Sequence, residues 1–161
     1  MEKIFETYRG FVYPWEMDHI GHMNVRFYVG KFDEASWHFL AGLGITPNYL
    51  RKNQRGMVAA EQHIFYRKEV LSGDLIVIRS ILDEIRAKTM RYRHIMYNAE
   101  TNQEIAVMEL IVIHTNTRLR KSCEFPDLIY QKGLERLKGY EQNCFPGSRT
   151  GWEIEGNISK F

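Results

Sequence analysis

Residues 15–24 read Trp15-Glu16-Met17-Asp18-His19-Ile20-Gly21-His22-Met23-Asn24, and Tyr28 follows shortly after. The Asp18 carboxylate, two imidazoles, a glycine and an amide therefore stand just ahead of a segment with helical spacing. Amide N–H groups at a helix start have no partner inside the helix, and the helix dipole is positive there. A carboxylate beside such a site fits acyl transfer. It acts as base or nucleophile while backbone N–H groups hold the developing oxyanion. An ionised aspartate does either at neutral pH without help. The competing reading of Asp18 is a cap on a turn or on the helix.

The neighbours divide in the same way. Gly21 permits a tight turn with positive φ. His22 and Asn24 either position the carbonyl or the attacking water, or bond the loop to itself and hold Asp18. Tyr28 packs at the helix start, and Trp15 and Trp37 read as core or interface aromatics. Glu61 stands in the otherwise apolar run Met57-Val58-Ala59-Ala60-Glu61. A carboxylate there needs a partner or a cavity. It is a candidate second acid, with His63 two residues on as a possible partner. Glu109 raises the same question more weakly.

These residues need elements to place them. Residues 5–13 read as a strand ended by Pro14. From Phe27 to Leu43, the residues Val29, Phe32, Ser36, Phe39, Leu40 and Leu43 fall at helical spacing, with Asp33 and Glu34 early and Gly44 as a stop. Residues 45–56, with Pro47, Asn48, Asn53 and Gly56, read as loop. Strand-like runs follow at Met57–Arg67, Leu75–Ile85, Thr89–Asn98 and Glu104–Thr115. The third alternates, with Met90, Tyr92, His94 and Met96 on one face. The last is apolar on both faces, which marks a central strand. Pro126 can start a short helix, Asp127–Lys138. Short turns between successive strands predict hairpins. One long helix must bury its stripe on the sheet. The economical architecture is α+β: a curved antiparallel sheet around one central helix.

At 161 residues, with 44% hydrophobic and 26% charged residues, the chain fits one domain with a real core. The domain is expected over 1–138. A Gly- and Asn-rich extension follows over 139–161, with Trp152 and Phe161 as docking points. A net charge of +2 does not argue for nucleic acid. No run approaches the ~18 apolar residues of a membrane span, and the N-terminus does not read as a signal peptide. Two cysteines, Cys123 and Cys144, make no disulfide framework, and a reduced, cytoplasmic setting is expected. The six histidines lack an HExxH arrangement, so no metal is expected.

The loop Asp18-x-x-Gly21-His22-x-Asn24-x-x-x-Tyr28, with the order of elements and the Gly73-Asp74 turn, resembles the hotdog-fold acyl-CoA thioesterases related to 4-hydroxybenzoyl-CoA thioesterase. The similarity runs from about Thr7 to Pro126. It implies hydrolysis of an acyl-CoA thioester without a cofactor, coenzyme A entering only as part of the substrate. It implies a homodimer or dimer of dimers with sites at the interface. It implies catalytic roles for Asp18, His22 and Asn24, beside which Glu61 stays a catalytic candidate from its place in the apolar run. Gly21 and Tyr28 would contact the substrate, and Arg118, Arg120 and Lys121 would contact the phosphates of coenzyme A. Three alternatives remain open: an acyl-carrier-protein thioesterase, a hydratase or dehydratase with His22 as base, and a non-catalytic acyl-thioester-binding protein.

Overall fold

The computed structural model describes residues 5–138. The elements are β1 (Phe5–Phe11), α1 (Val25–Gly42), α2 (Pro47–Asn53), β2 (Arg55–Tyr66), β3 (Leu75–Ile85), β4 (Thr89–Asn98), β5 (Glu104–Asn116), β6 (Lys121–Ser122) and α3 (Asp127–Lys138), with one 3-10 turn at Pro14–Glu16. The strands form an antiparallel sheet in the order β1-β3-β4-β5-β2, with the short β6 on β5. This is the hotdog architecture, with α1 packed on the sheet.

Alternation does most of the placing. On β4, Met90, Tyr92, His94 and Met96 all turn inward and are buried. The inward residues of β5 include Met108, Leu110 and Val112. Against them α1 buries Tyr28, Lys31, Phe32, Ala35, Ser36, Phe39 and Leu40, a stripe at i, i+3, i+4 spacing. The stripe is rotated from the expected one. Val29 is partly exposed, while Tyr28 and the charged Lys31 are inside. The helix also begins two residues earlier than expected. Asp33 and Glu34 therefore lie beyond its first turn, which holds no acidic residue.

Two further expectations are corrected. Residues 45–56 are not all loop: Pro47–Asn53 is helical, because Thr46 caps it through Tyr49 N–H at 3.1 Å and Pro47 suits a first helical position. The four later strands are also not successive hairpins. β2 pairs with β5, and β3 pairs with β1. The connection 67–74 is a crossover. Its start is held by Arg67 and Lys68 N–H on the Ile105 carbonyl, its middle accepts Met23 N–H at the Val70 carbonyl, and its end joins Gly73 N–H to the Val12 carbonyl. It passes the start of α1 and lands beside β1, leaving β2 at the edge. The expected extension 139–161, with Trp152, Phe161 and Cys144, lies outside the described residues.

Within this core, a chain of polar groups is fully sealed. His94 Nε2 meets Ser36 Oγ at 2.8 Å, His94 Nδ1 meets Ser80 Oγ at 2.5 Å, and Ser80 meets Thr7 Oγ1 at 2.6 Å. Burial pushes the His94 imidazole down to about 3, so the ring is neutral in the fold. An unfolded histidine titrates near 6.5. The unfolded chain therefore binds the extra proton first. The stability His94 contributes is present above about pH 6.5 and is lost as pH falls toward 3, by up to ~1.4 kcal/mol per pH unit. Burial acts on His114 in the same direction. Urea unfolding at pH 7.5, 6 and 5 should show this decline, and His94→Asn should be less stable at pH 7.5 but flatter across the series.

Candidate active site

The loop ahead of α1 is closed by an antiparallel bridge between Met17 and Met23. Inside it, Asp18 N–H donates to the His22 carbonyl at 3.0 Å and Gly21 N–H to the Asp18 carbonyl at 3.2 Å. Gly21 has φ +99°, the left-handed geometry its type favours. The Asp18 side chain takes part in the turn: its Oδ1 accepts Ile20 N–H at 2.8 Å and Gly21 N–H at 3.2 Å. Its Oδ2 lies 3.7 Å from His22 Nδ1, beyond hydrogen-bond length. Desolvation pushes the Asp18 carboxyl up. The Ile20 N–H bond, the charge of His22 and the Gly21 and His22 amides outweigh it and leave the group below the usual carboxylate value. One oxygen is thus anchored by the loop amides, and the other lies beside His22.

Asn24 ends the loop as the N-cap of α1. Its Oδ1 accepts Arg26 N–H at 3.1 Å, and its carbonyl accepts Phe27 N–H at 3.0 Å. Among the described residues the Val25 N–H at the helix start has no acceptor, as a first helical amide has none inside its helix. Tyr28 is buried, with its hydroxyl 3.4 Å from the Lys68 carbonyl rather than on the loop. Burial pushes its phenol up to about 12.

A buried ion pair fixes this loop to the helix. Lys31 Nζ donates to Glu16 Oε1 at 2.8 Å, the side chains being 6% and 9% exposed. Lys31 also reaches the Phe11 carbonyl at 3.3 Å, and Glu16 Oε2 accepts Tyr13 N–H at 3.0 Å. The Glu16 carbonyl accepts Asn24 N–H at 2.9 Å. Neither residue stood out in the sequence, because a single lysine on a helix usually faces water.

Glu61 falls elsewhere. A β-bulge between Ala59 and Glu61 shifts the register of β2 on β5, so Ala59 pairs with Val112 and Gln62 with Leu110. Without the bulge Glu61 would share the inward face of Met57 and Ala59. With it Gln62 takes that face. Glu61 turns to the other side and pairs with His63, Nε2 to Oε1 at 2.7 Å. Glu109, cross-strand from Arg93 and His63, lies on that outer face too. Inside, a cavity of about 390 Å³ opens between α1 and the strands β2, β4 and β5, with Arg26, Val29, Trp37, Gln62 and Tyr92 among its walls. Sequence reading missed Gln62 and Tyr92 as wall residues, since a bulge leaves no mark in an apolar run. Neither tryptophan is core: Trp37 lines the cavity, and Trp15 is 70% exposed and stacks on Tyr13.

The basic cluster is also remote. The Asp18 loop sits beside the start of β3, at the end of the sheet where β5 begins. Arg118, Arg120 and Lys121 follow the far end of β5, which is 13 residues long, roughly 40 Å away along the strand. One chain does not bring them together. Among the described residues, no group of three His, Cys, Asp or Glu side chains is placed to hold a metal.

A family model described as the thioesterase-like superfamily matches residues 12–133. The chain is 24% identical over 125 residues to the betainyl-CoA thioesterase of Pseudomonas aeruginosa, spanning 78% of this chain and 79% of that one. It is also 24% identical over 116 residues to the L-carnitine dehydrogenase/betainyl-CoA thioesterase of Rhizobium, spanning 72% of this chain and 23% of that protein. Among solved structures, a hypothetical protein of Staphylococcus aureus in complex with CoA superposes with a TM-score of 0.80 at 18% identity, covering 86% of this chain and 87% of that one. A gentisyl-coenzyme A thioesterase superposes with a TM-score of 0.70 at 22% identity, covering 78% and 98%.

The ion pair gives this site its first test. Lys31→Met strands a buried carboxylate and should cost about 3–5 kcal/mol in urea unfolding. Adding Glu16→Gln should restore a large part of that loss.

Proposed function

The chain belongs to the thioesterase-like superfamily, and from that premise we propose that it hydrolyses an acyl-CoA thioester to the free acid and CoA, with Asp18 as the reacting carboxylate. The observation that carries the reading is the split role of that carboxylate: Oδ1 is bound by two loop N–H groups, and Oδ2 faces His22 at 3.7 Å, beside a helix start whose first turn carries no acid. The thioester carbonyl lies over that helix start, with the Val25 N–H as an oxyanion donor. Oδ2 takes the proton of an attacking water or attacks the carbonyl carbon itself, forming a mixed anhydride that water then cleaves. The C–S bond breaks and sulfur leaves as thiolate, a good leaving group near neutral pH because a thiol titrates near 8.5. His22 orients Asp18, and Asn24 holds the helix start. Glu61 takes no part. The relatives' names point to CoA esters of quite different acids, betainyl and gentisyl, which supports the CoA half of the substrate more than any one acyl group.

The phosphates of CoA are met by a second copy of the chain. Among the described residues β2 is the sheet edge, with its outer side unpaired and Val58, Phe65 and Tyr66 exposed. Antiparallel pairing of two β2 edges about a two-fold axis inverts one copy relative to the other. The cluster Arg118, Arg120 and Lys121 of the partner then lies at the end of the sheet that holds Asp18. A homodimer supplies what one chain lacks.

Three outcomes follow. Asp18→Asn should lower thiol release from an acyl-CoA panel at least ~100-fold with unchanged Tm, while Glu61→Gln stays within about threefold. Near-normal turnover by Asp18→Asn would sink the role. Because the loop holds Asp18 below the usual carboxylate value, kcat/KM should not lose activity to Asp18 protonation anywhere above the ordinary carboxylate range. Reversing Arg118, Arg120 and Lys121 to glutamate should raise KM about tenfold for acyl-CoA and leave KM for the matching acyl-pantetheine unchanged. An equal effect on both would remove the cluster from the site.

A further inference from the structure

One row of α1 serves neither the core nor the hydrolysis. Arg26, Gly30, Asp33 and Trp37 follow one another at spacings of four, three and four, so they share one line along the helix, away from its buried stripe. All four border the cavity between α1 and β2. Trp37 is 41% exposed. A Cβ placed on Gly30 meets nothing within 4 Å. Among the described residues Arg26 and Asp33 make no ion pair, and Arg26 lies over the adjacent Phe27 ring, 4.8 Å from its centroid. A solvated helix face does not select this set. Glycine inside a helix weakens it, and no contact within the described chain calls for one at position 30.

We propose that this row is a contact between two copies of the chain, with their α1 helices antiparallel across a two-fold axis. The proposal rests on the homodimer in the function proposed above and deepens it. An axis passing between positions 30 and 33 sets Arg26 against the partner's Asp33 and the partner's Trp37, and an isologous contact repeats this the other way round. Each guanidinium gains a carboxylate and an indole face. A parallel partner would instead set Arg26 against the partner's Arg26 and Asp33 against the partner's Asp33, like charge on like. Gly30 falls beside the axis, where the lack of a side chain lets two helices come to the short end of the usual spacing of about 8–10 Å. The same axis serves β2. Met57, Ala59 and Gln62 of β2 face the row across the cavity. An axis perpendicular to the sheet that pairs two β2 edges keeps both α1 helices on one face and reverses one against the other. The partner's α1 then covers the open side of the cavity, and the partner's Trp37 stands at the first turn of α1. Each acyl site is completed by the other chain.

The test is a charge swap, with the dimer Kd read by sedimentation equilibrium and folding by circular dichroism. Arg26→Asp and Asp33→Arg should each raise the dimer Kd at least ~10-fold, and the double variant should return it to within about threefold of wild type. Gly30→Gln should also raise the Kd, although glutamine is the better helix former. A Kd unchanged in every variant, or single losses that the double variant does not recover, overturns the inference. A second measurement places Gly30→Cys on one chain and Asp33→Cys on another, both with Cys123→Ser and Cys144→Ser. Under oxidised glutathione the equal mixture should form linked chains faster than either variant alone. Equal rates overturn the inference. Wild type that stays monomeric sinks the inference and the shared CoA site together. A dimer indifferent to all the variants sinks the inference and leaves the β2 pairing standing. A dimer that obeys the swap but releases no thiol from any acyl-CoA leaves the inference standing, and hydrolysis falls.

Discussion

An ammonium and a carboxylate, nearly sealed from water, hold the working end of this protein in shape. Lys31 projects from the buried stripe of α1 and donates to Glu16, the Phe11 carbonyl and the Tyr8 hydroxyl. The pair joins three elements: the end of β1, the 3-10 turn at Pro14–Glu16, and the helix. Buried ion pairs are rarely a net gain over apolar packing. Their use here is positional. Once Glu16 is fixed, its carbonyl holds Asn24 N–H, Asn24 caps α1, and the Met17–Met23 bridge shapes the loop that presents Asp18.

From that anchor the division of labour among the loop residues follows. Gly21 makes the turn, its amide and that of Ile20 hold one oxygen of Asp18, and the lack of an acid in the first turn of α1 leaves the helix dipole uncompensated. β2 does not press against α1, which under the proposed function leaves room for the acyl part of the substrate. The gap between them is the cavity, and the bulge in β2 decides that an amide, Gln62, rather than a carboxylate lines it.

Elements whose pattern is local were legible in the sequence. β3, β4 and α3 have the bounds their alternation and their leading proline suggested, and β5 is central as its two apolar faces required. The turn at Gly21 was legible too, since few residue types fit there. What escaped depends on partners distant in sequence. The crossover at 67–74 is decided by where Val70 and Gly73 find hydrogen bonds, not by its composition. The burial of Lys31 depends on Glu16, fifteen positions away. The outward turn of Glu61 depends on one extra residue in a run of small side chains, and the remoteness of Arg118 from Asp18 depends on the length of β5.

The central claim is spatial: the thioester carbonyl rests on the start of α1, within reach of Asp18. A crystal structure with an uncleavable acyl-CoA ketone analogue, in which a methylene separates sulfur from the carbonyl, measures it directly. The account predicts the carbonyl oxygen about 3 Å from the Val25 N–H, with Asp18 Oδ2 facing the carbonyl carbon directly or through one water. An analogue whose carbonyl is bound away from this helix start, with Asp18 turned only to its own loop, would contradict it.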